Sequence, residues 1–290
     1  MQKPNILELD ALESIPVEEQ NVIFKPNDGP QTEFLAAGER EVLYGGSAGG
    51  GKSYAMLADP LRYMGHPSFS GLLLRHTTEE LRELIFKSKE IYPQIWKGIK
   101  WSERKMQWEA PSGARLWMSY LDRDDDVLRY QGLAFSWIGF DELTQWSTPY
   151  AWNYMRSRLR SVAQDLPVYM RATTNPGGPG HQWVKKMFID PAPYGKQFDA
   201  TDIESGNVLS YPKGHSKAGQ SLFKRRFIPA RLSDNPYLSA QGDYEAMLLS
   251  LPEHQRRQLL EGDWDIKEGA AFSEFDRNIH VIEPFAIPRN

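Results

Sequence analysis

The feature that most constrains this chain is a glycine-rich stretch at residues 41–57, EVLYGGSAGGGKSYAML. Residues 46–53 match the pattern G-x-x-x-x-G-K-[ST], which cradles phosphate when it follows a strand and opens a helix. The apolar residues 42–44 predict that strand, and residues 52 to about 64 predict the helix. A flexible glycine-rich turn is the alternative interpretation, but the strand and helix on either side favour a phosphate-binding loop.

The residue types in this loop suit nucleotide chemistry. Glycines allow successive backbone N–H groups to face phosphate oxygens. A lysine neutralises the charge of the β- and γ-phosphates, and the hydroxyl after it is a ligand for Mg²⁺. The sequence therefore predicts ATP and Mg²⁺ as ligands. The predicted nucleotide-binding residues are Gly46, Ser47, Ala48, Gly49, Gly50, Gly51, Lys52 and Ser53, and Ser53 is also a predicted metal ligand.

An acidic pair follows a second apolar run, in FSWIGFDEL. At the end of a strand, Asp141 can hold Mg²⁺ and Glu142 can polarise the attacking water. Such a pair alone is also typical of a helix N-terminus. Together with the loop about 90 residues upstream, it predicts hydrolysis with Glu142 as a catalytic residue and Asp141 as a metal ligand.

A third candidate strand, in VYMRATTNPGG, ends in Thr173, Thr174 and Asn175. If this strand lies beside the strand before the loop, these short polar side chains can detect the γ-phosphate and couple its loss to movement. An ordinary polar turn before Asn-Pro-Gly-Gly is the alternative.

Short apolar runs alternate with helical patterns along the chain, which predicts an α/β fold with a mainly parallel sheet flanked by helices. Further predicted strands are residues 72–74, 135–140 and 168–173, together with one in SLFKRRFIPARL. Predicted helices are residues 78 to about 92, 150 to about 159, and two short helices in 239–262 that are split at Pro252. The segment KMQWEAPSGARLWMSYL predicts an inserted β-hairpin, and residues 190–220 predict a long loop.

The composition excludes several kinds of site and several classes of protein. The 290 residues include 40% hydrophobic residues and no cysteine, which excludes disulfides and thiolate metal sites. The N-terminus lacks a signal peptide, and no apolar run reaches the roughly 20 residues that span a bilayer. We expect a soluble intracellular protein without a membrane partner. The net charge of −4 argues against a surface that is positive all over.

These motifs resemble those of the large terminase subunits of tailed bacteriophages. The resemblance rests on the phosphate loop, GFDEL, TTNPGG and the string LSDNPYL…LPEHQRRQLLEGDW, and it covers about residues 25–282. It implies a P-loop NTPase of the ASCE type. The implied ATPase domain spans residues 26–265 and includes a small C-terminal helical lid region at about 232–265. An N-terminal arm at 1–25 and a linker at 266–290 toward an absent nuclease domain are also implied.

The same resemblance implies a motor that couples ATP hydrolysis to the movement of double-stranded DNA into a procapsid. The implied partners are double-stranded DNA, the portal protein of the procapsid, the small terminase subunit and other copies of the chain in a ring. The implied location is the host cytoplasm, at the portal. Nuclease activity is not expected, because the last carboxylates do not form a spaced cluster; they are Asp263, Asp265, Glu268, Glu274 and Asp276.

Two further residues take roles from the resemblance. Gln31 in GPQTEFL resembles a glutamine that reads adenine, although on sequence alone it is an ordinary surface residue. Arg129 resembles an arginine finger that acts on the nucleotide of a neighbouring subunit, with a surface salt bridge as the alternative. One departure matters: many relatives carry Arg or Lys in the variable part of the loop, whereas residues 47–50 here are Ser-Ala-Gly-Gly.

Residues 213–233 contain lysine and arginine but no aspartate or glutamate, and their basic side chains could contact DNA phosphates. The candidates are Lys213, Lys217, Lys224, Arg225 and Arg226. A solvated loop followed by an amphipathic strand is the alternative. Two other functions remain open: a different P-loop DNA translocase or helicase-like ATPase, and a nucleotide-binding assembly module without turnover.

Overall fold

The computed structural model describes residues 24–240 and 242–266, whose centre is a nine-stranded sheet. The predicted N-terminal arm and the predicted linker lie almost entirely outside the described residues, as do Glu268, Glu274 and Asp276. The strands are β1 Glu41–Gly46, β2 Ser70–Arg75, β3 Lys100–Ser102, β4 Gln107–Glu109, β5 Arg115–Tyr120, β6 Trp137–Asp141, β7 Tyr169–Thr174, β8 Gln197–Asp199 and β9 Lys224–Ala230.

The strand order is β3-β4-β5-β2-β6-β7-β1-β9-β8. Six neighbouring strands, β5-β2-β6-β7-β1-β9, are parallel to one another. Antiparallel strands lie at both edges, β3 and β4 at one and β8 at the other. The prediction of a mainly parallel α/β sheet is confirmed, and β4 and β5 pair antiparallel in the segment predicted as a hairpin. The predicted loop at residues 190–220 differs in one respect, because β8 lies within it and pairs with β9.

Eight α-helices are described in these residues. They are α1 Pro30–Ala36, α2 Lys52–Ala58, α3 Thr78–Ile95, α4 Tyr150–Arg156, α5 His181–Val184, α6 Pro236–Ser239, α7 Asp243–Leu249 and α8 Glu253–Arg256. The predicted helix at 52–64 is α-helical only to Ala58 and continues as a 3-10 turn, Asp59–Tyr63. Pro60 explains the change, because proline has no N–H for the helical ladder. The predicted break at Pro252 separates α7 from α8.

The apolar runs are continuous because the sheet is covered on both faces. In β2, Leu72 and Leu74 belong to one buried cluster, whereas Leu73 belongs to the cluster on the opposite face with α2 and α3. β6 shows the same alternation, since Ile138 packs with the first cluster and Trp137 with the second. None of the described helices is both long and apolar enough to cross a membrane.

One buried ion pair ties β1 to β9. Glu41 is fully buried, and its Oε2 lies 2.7 Å from Nε of Arg225, whose side chain is 1% exposed. Arg156 makes a second ion pair with Glu41, and Arg225 also donates to the carbonyl oxygen of Thr201 at 2.7 Å. The prediction of a DNA contact for Arg225 is therefore wrong, because its guanidinium is enclosed in the protein and already bound to a carboxylate.

Glu41→Gln should destabilise the protein by about 3 kcal/mol at neutral pH, because it leaves Arg225 buried without a counter-charge. Burial raises the pKa of Glu41, but the guanidinium groups of Arg225 and Arg156 outweigh it and hold the pKa below its usual value. The contribution of this carboxylate to the free energy of unfolding is therefore complete above about pH 4.3, the pKa of an unfolded glutamate. It disappears as the pH falls through the lowered pKa of the folded state. Urea unfolding from pH 7 to pH 3 measures this, and the wild type and the variant should converge only at the acid end.

Glu103→Gln is the matched control. Glu103 pairs with Lys89 but is largely exposed, so its loss should leave the unfolding midpoint nearly unchanged. Equal effects of the two substitutions at pH 7 would contradict the role of the buried pair.

Candidate functional site

The candidate site lies at the carboxyl edge of the parallel strands. β7 pairs directly with β1, which is the condition set for the coupling residues, and also with β6. Thr173 therefore stands opposite Tyr44 on one side and opposite Asp141 on the other. This register brings the polar end of β7 between the phosphate loop and the acidic pair.

A cavity of about 250 Å³ opens above the loop. It joins loop residues to side chains from distant parts of the chain. Its lining consists of Ala48, Gly49, Gly50, Gly51, Lys52, Ser53, Tyr54, Lys87, Glu142, Asn175, Asn235 and Leu238. The structure thus brings the predicted loop, the predicted base and one predicted coupling residue together.

Lys52 is buried, and its ammonium group bridges two parts of the site. Its Nζ donates to the carbonyl oxygen of Ser47 at 2.6 Å and to Oδ1 of Asn175 at 2.7 Å. Burial lowers the pKa of Lys52, while the nearby carboxylates of Glu142 and Asp141 act in the opposite direction. The lysine of the loop is therefore in direct contact with the end of β7.

Asp141 is fully buried between two partners. Its Oδ2 lies 2.9 Å from Nε of Arg75, and its Oδ1 accepts a hydrogen bond from the hydroxyl of Thr173. Arg75 is the last residue of β2 and has a side chain only 10% exposed. Sequence reasoning missed it, although an arginine directly after the apolar run GLLL was a usable signal.

Glu142 has an unusual backbone conformation. Its φ and ψ are 60° and 58°, in the left-handed region that non-glycine residues rarely adopt. Its Oε2 accepts the N–H of Asn175 at 3.3 Å. Burial, and then the charge of Asp141, raise the pKa of Glu142. Backbone strain of this kind is concentrated at functional sites, and here the Glu142 side chain lines the cavity.

Thr174 connects the end of β7 to the turn that follows the acidic pair. Its Oγ1 lies 2.7 Å from Oγ1 of Thr144 and accepts the N–H of Thr144 at 3.2 Å. The Thr144 hydroxyl also lies 3.2 Å from the carbonyl oxygen of Asn175. Each of the three predicted coupling residues therefore contacts either the loop lysine, Asp141 or the segment after Glu142.

The donors at this edge fit Mg²⁺, which prefers oxygen ligands and keeps several waters beside one or two carboxylates. Ser53 lines the cavity directly after the loop lysine. Asp141 does not line the cavity, and its two oxygens bond to Arg75 and Thr173, so its role as a metal ligand stays a prediction. No group of three or more His, Asp or Glu side chains within residues 24–240 and 242–266 forms a separate metal cluster.

Gln31 is buried and lies behind the loop, so its interpretation as a surface residue is wrong. Its Nε2 donates to the carbonyl oxygen of Gly51 at 2.9 Å, and its Oε1 accepts the N–H of Asn27 at 2.6 Å. Both ends of the amide are thus bonded to protein. A contact with adenine stays a prediction.

Arg129 lies on a 3-10 turn, Asp124–Tyr130, after β5. Its side chain is 46% exposed and forms an ion pair with Asp126 at 3.4 Å. Nη2 also donates to the carbonyl oxygen of Tyr120 at 2.8 Å. Arg129 does not line the cavity of its own chain, so its action on a neighbour's nucleotide stays a prediction.

The remaining DNA candidates differ in exposure. Lys213 and Lys217 are exposed in the segment before β9. Lys224 is exposed but paired with Asp199 at 2.7 Å, and Arg226 is paired with Glu33. Contact with DNA stays a prediction for these four residues.

The described part of the C-terminal segment, residues 232–240 and 242–264, packs directly on the loop and on α5. Nδ2 of Asn235 donates to the carbonyl oxygen of Gly49 at 2.7 Å, and the Ala48 N–H donates to that of Leu259 at 2.6 Å. The ring of Trp264 stacks on His181 with the centroids 5.3 Å apart. A role for this segment as a moving lid stays a prediction.

A family model described as the terminase large subunit, T4likevirus-type, N-terminal, matches residues 43–279. The large terminase of a thermophilic bacteriophage, in complex with ADP, has 18% identity and a TM-score of 0.59, and the match covers 91% of this chain and 60% of that one. The large terminase ATPase domain of Thermus phage P74-26 has 12% identity and a TM-score of 0.50, with coverage of 91% and 100%. A mutant of that domain has 14% identity and a TM-score of 0.52, with coverage of 83% and 94%.

These similarities at low identity show a common fold. This chain spans about 60% of the length of the large terminase that was solved with ADP. The curated proteins include no match to the sequence.

Arg75→Leu should destabilise the protein by about 3–5 kcal/mol, because it leaves Asp141 buried without its cation. The double variant Arg75→Leu/Asp141→Asn should recover part of this loss, since it removes both charges. Urea unfolding of the wild type, the single variants and the double variant measures the coupling. Additive effects would contradict a direct ion pair, and Lys89→Met, at an exposed pair, serves as the surface control.

Proposed function

This chain belongs to the family of T4likevirus-type terminase large subunits, whose N-terminal part it matches, and we propose that it hydrolyses ATP to drive double-stranded DNA into a procapsid. Family membership supports a packaging motor. The observation that supports ATP hydrolysis is that Lys52, Glu142 and Asn175 line the same cavity. A module that only binds nucleotide needs the lysine but not a carboxylate at the same cavity.

ATP is the proposed substrate. The relative from the thermophilic bacteriophage was solved with ADP, and the cavity here is formed by the glycine-rich loop. Lys52 would exchange its bonds to Ser47 and Asn175 for phosphate oxygens. Glu142 would orient the attacking water and accept its proton. Ser53 and Asp141 would hold Mg²⁺, which neutralises phosphate charge when bound.

Loss of the γ-phosphate would first change the hydrogen bonds of Asn175, because this residue bonds to Lys52 through its side chain and to Glu142 through its backbone N–H. Thr173 would report on Asp141, and Thr174 on the turn after Glu142. From there, the stacked pair of His181 and Trp264 leads to the C-terminal segment. We propose this route as the coupling between hydrolysis and movement.

The partners are part of the same proposal. A portal protein on the procapsid, the small terminase subunit and other copies of the chain in a ring would surround the motor in the host cytoplasm. Exposed Lys213 and Lys217 offer sequence-tolerant charge to DNA phosphates.

Lys52→Ala and Glu142→Gln should each reduce ATP turnover by at least about 100-fold, since they remove the phosphate cation and the base. Glu142→Gln should still bind nucleotide, whereas Lys52→Ala should bind it weakly. Phosphate release with and without double-stranded DNA, beside ADP titration, measures both properties.

Turnover by Glu142→Gln at the wild-type rate would contradict the assigned base. A wild-type chain that binds ADP but never releases phosphate, with or without DNA, would favour the binding module. Lys97→Ala, at an exposed position outside the cavity, should match the wild type in both assays.

Arg129 should act in trans as the finger that stabilises charge on the transferring phosphoryl group. The Arg129 side chain is exposed and lies outside the cavity of its own chain, which supports action on a neighbouring subunit. Arg129→Ala and Glu142→Gln subunits should each be inactive alone and recover part of the ATP turnover when mixed. Mixing Arg129→Ala with the double variant Arg129→Ala/Glu142→Gln is the control, because that partner has no arginine to donate.

A further inference from the structure

Three consecutive glycine carbonyls in the phosphate loop each accept a hydrogen bond from a different side chain. These bonds are Asn235 Nδ2 to Gly49 O at 2.7 Å, Tyr44 Oη to Gly50 O at 2.7 Å and Gln31 Nε2 to Gly51 O at 2.9 Å. The donors come from three parts of the chain: the residue before α6, strand β1 and helix α1. Because glycine has the greatest backbone freedom, three successive glycines need such restraints to keep one conformation.

Each restraint also orients the following N–H group. In a trans peptide the C=O and N–H of one plane point in opposite directions, and the described residues contain no cis peptide. A carbonyl held toward the protein therefore turns the next N–H away from it. In the described part of the chain, the N–H groups of Gly50 and Gly51 bond to no protein acceptor, whereas those of Ser47 and Ala48 bond to carbonyls of Ala230 and Leu259.

These free N–H groups matter because of the charge of the loop. Lys52 is the only cation in residues 46–53, since residues 47–50 are Ser-Ala-Gly-Gly. Lys87 of α3 also lines the cavity, but its ammonium group is paired with Glu83. The rest of the phosphate charge must be met by backbone N–H dipoles, which stabilise an anion well only when they are already oriented.

We propose that Tyr44, Asn235 and Gln31 are positioning residues that preorganise the loop for phosphate. Asn235 and Tyr44 hold the Gly49 and Gly50 carbonyls away from the cavity, so that the N–H groups of Gly50 and Gly51 point into it. Gln31 adds a second bond to the Gly51 carbonyl, which also accepts the Ala55 N–H of α2. The inference rests on the proposed function, because it takes a nucleotide phosphate as the ligand.

The bond from Asn235 also links the loop to the C-terminal segment. While Nδ2 holds Gly49, Oδ1 accepts the N–H of Tyr237 at 3.2 Å and caps α6. One amide therefore spans the loop and the start of α6. A displacement of α6 changes the orientation of the Gly49 peptide, so the loop affinity for phosphate depends on the position of this helix.

Tyr44 allows the sharpest test. Its side chain is fully buried and its ring stacks on Phe34 with the centroids 5.2 Å apart. Burial raises the pKa of the Tyr44 hydroxyl, so it remains a donor at neutral pH. Tyr44→Phe keeps the ring and removes only the hydrogen bond to Gly50.

Tyr92→Phe is the matched control. Tyr92 is also fully buried, and its hydroxyl donates to the carbonyl oxygen of Leu57 at 2.8 Å, outside the loop. Both variants lose one hydrogen bond between a buried hydroxyl and a carbonyl. Their urea midpoints should therefore fall by similar amounts.

The decisive measurement is ADP affinity of the 290-residue chain by calorimetry. Tyr44→Phe should weaken binding roughly three- to tenfold, whereas Tyr92→Phe should leave it unchanged. The affinity for inorganic pyrophosphate, measured by competition, should fall by the same factor in Tyr44→Phe as the affinity for ADP. That result would assign the lost affinity to the phosphates and not to the adenine base. Asn235→Ser keeps a capping oxygen for α6 but is too short to reach Gly49, so it should also weaken ADP binding.

Unchanged ADP affinity in Tyr44→Phe, or an equal loss in Tyr92→Phe, would overturn the proposal. If the wild type itself binds no ADP, the proposed function fails, and the positioning role is then tested without ligand. In that case, amide hydrogen exchange of residues 45–53 should be faster in Tyr44→Phe than in Tyr92→Phe. Equal exchange would overturn the positioning role as well.

Discussion

The interaction on which this site depends is the placement of the Lys52 ammonium between the carbonyl oxygen of Ser47 and Oδ1 of Asn175. A buried cation is tolerated only when it is hydrogen-bonded and near opposite charge. The carboxylates of Asp141 and Glu142 supply that charge, and Arg75 in turn neutralises Asp141. Two cations and two carboxylates are therefore mutually dependent at one edge of the sheet.

The strand order makes this arrangement possible. β7 lies between β1 and β6, so the polar residues at its end reach the loop on one side and the acidic pair on the other. Thr173 bonds to Asp141, and Asn175 bonds to Lys52 and Glu142. This one short segment therefore contacts both the loop lysine and the acidic pair.

The loop itself is supported from behind by residues far from it in the chain. Gln31, Tyr44 and Asn235 hold its carbonyls, and the backbone of Leu259 accepts the Ala48 N–H. The C-terminal segment is therefore part of the wall of the site. The geometry of the loop and the position of the residues around Asn235 and Leu259 are therefore linked by direct hydrogen bonds.

The sequence by itself determined the local elements: the strand–loop–helix at residues 41–58, the acidic pair at the end of β6, the polar end of β7 and the antiparallel pair β4–β5. These follow from short-range causes, namely apolar periodicity, glycine and proline positions, and residue types at strand ends. It could not reveal that Arg225 is buried against Glu41, that Arg75 pairs with Asp141, or that Tyr44 and Asn235 hold the loop. Those contacts join residues between 6 and 186 positions apart. Only the sheet order and the packing of both faces decided them, because burial and pairing depend on which elements become neighbours in space.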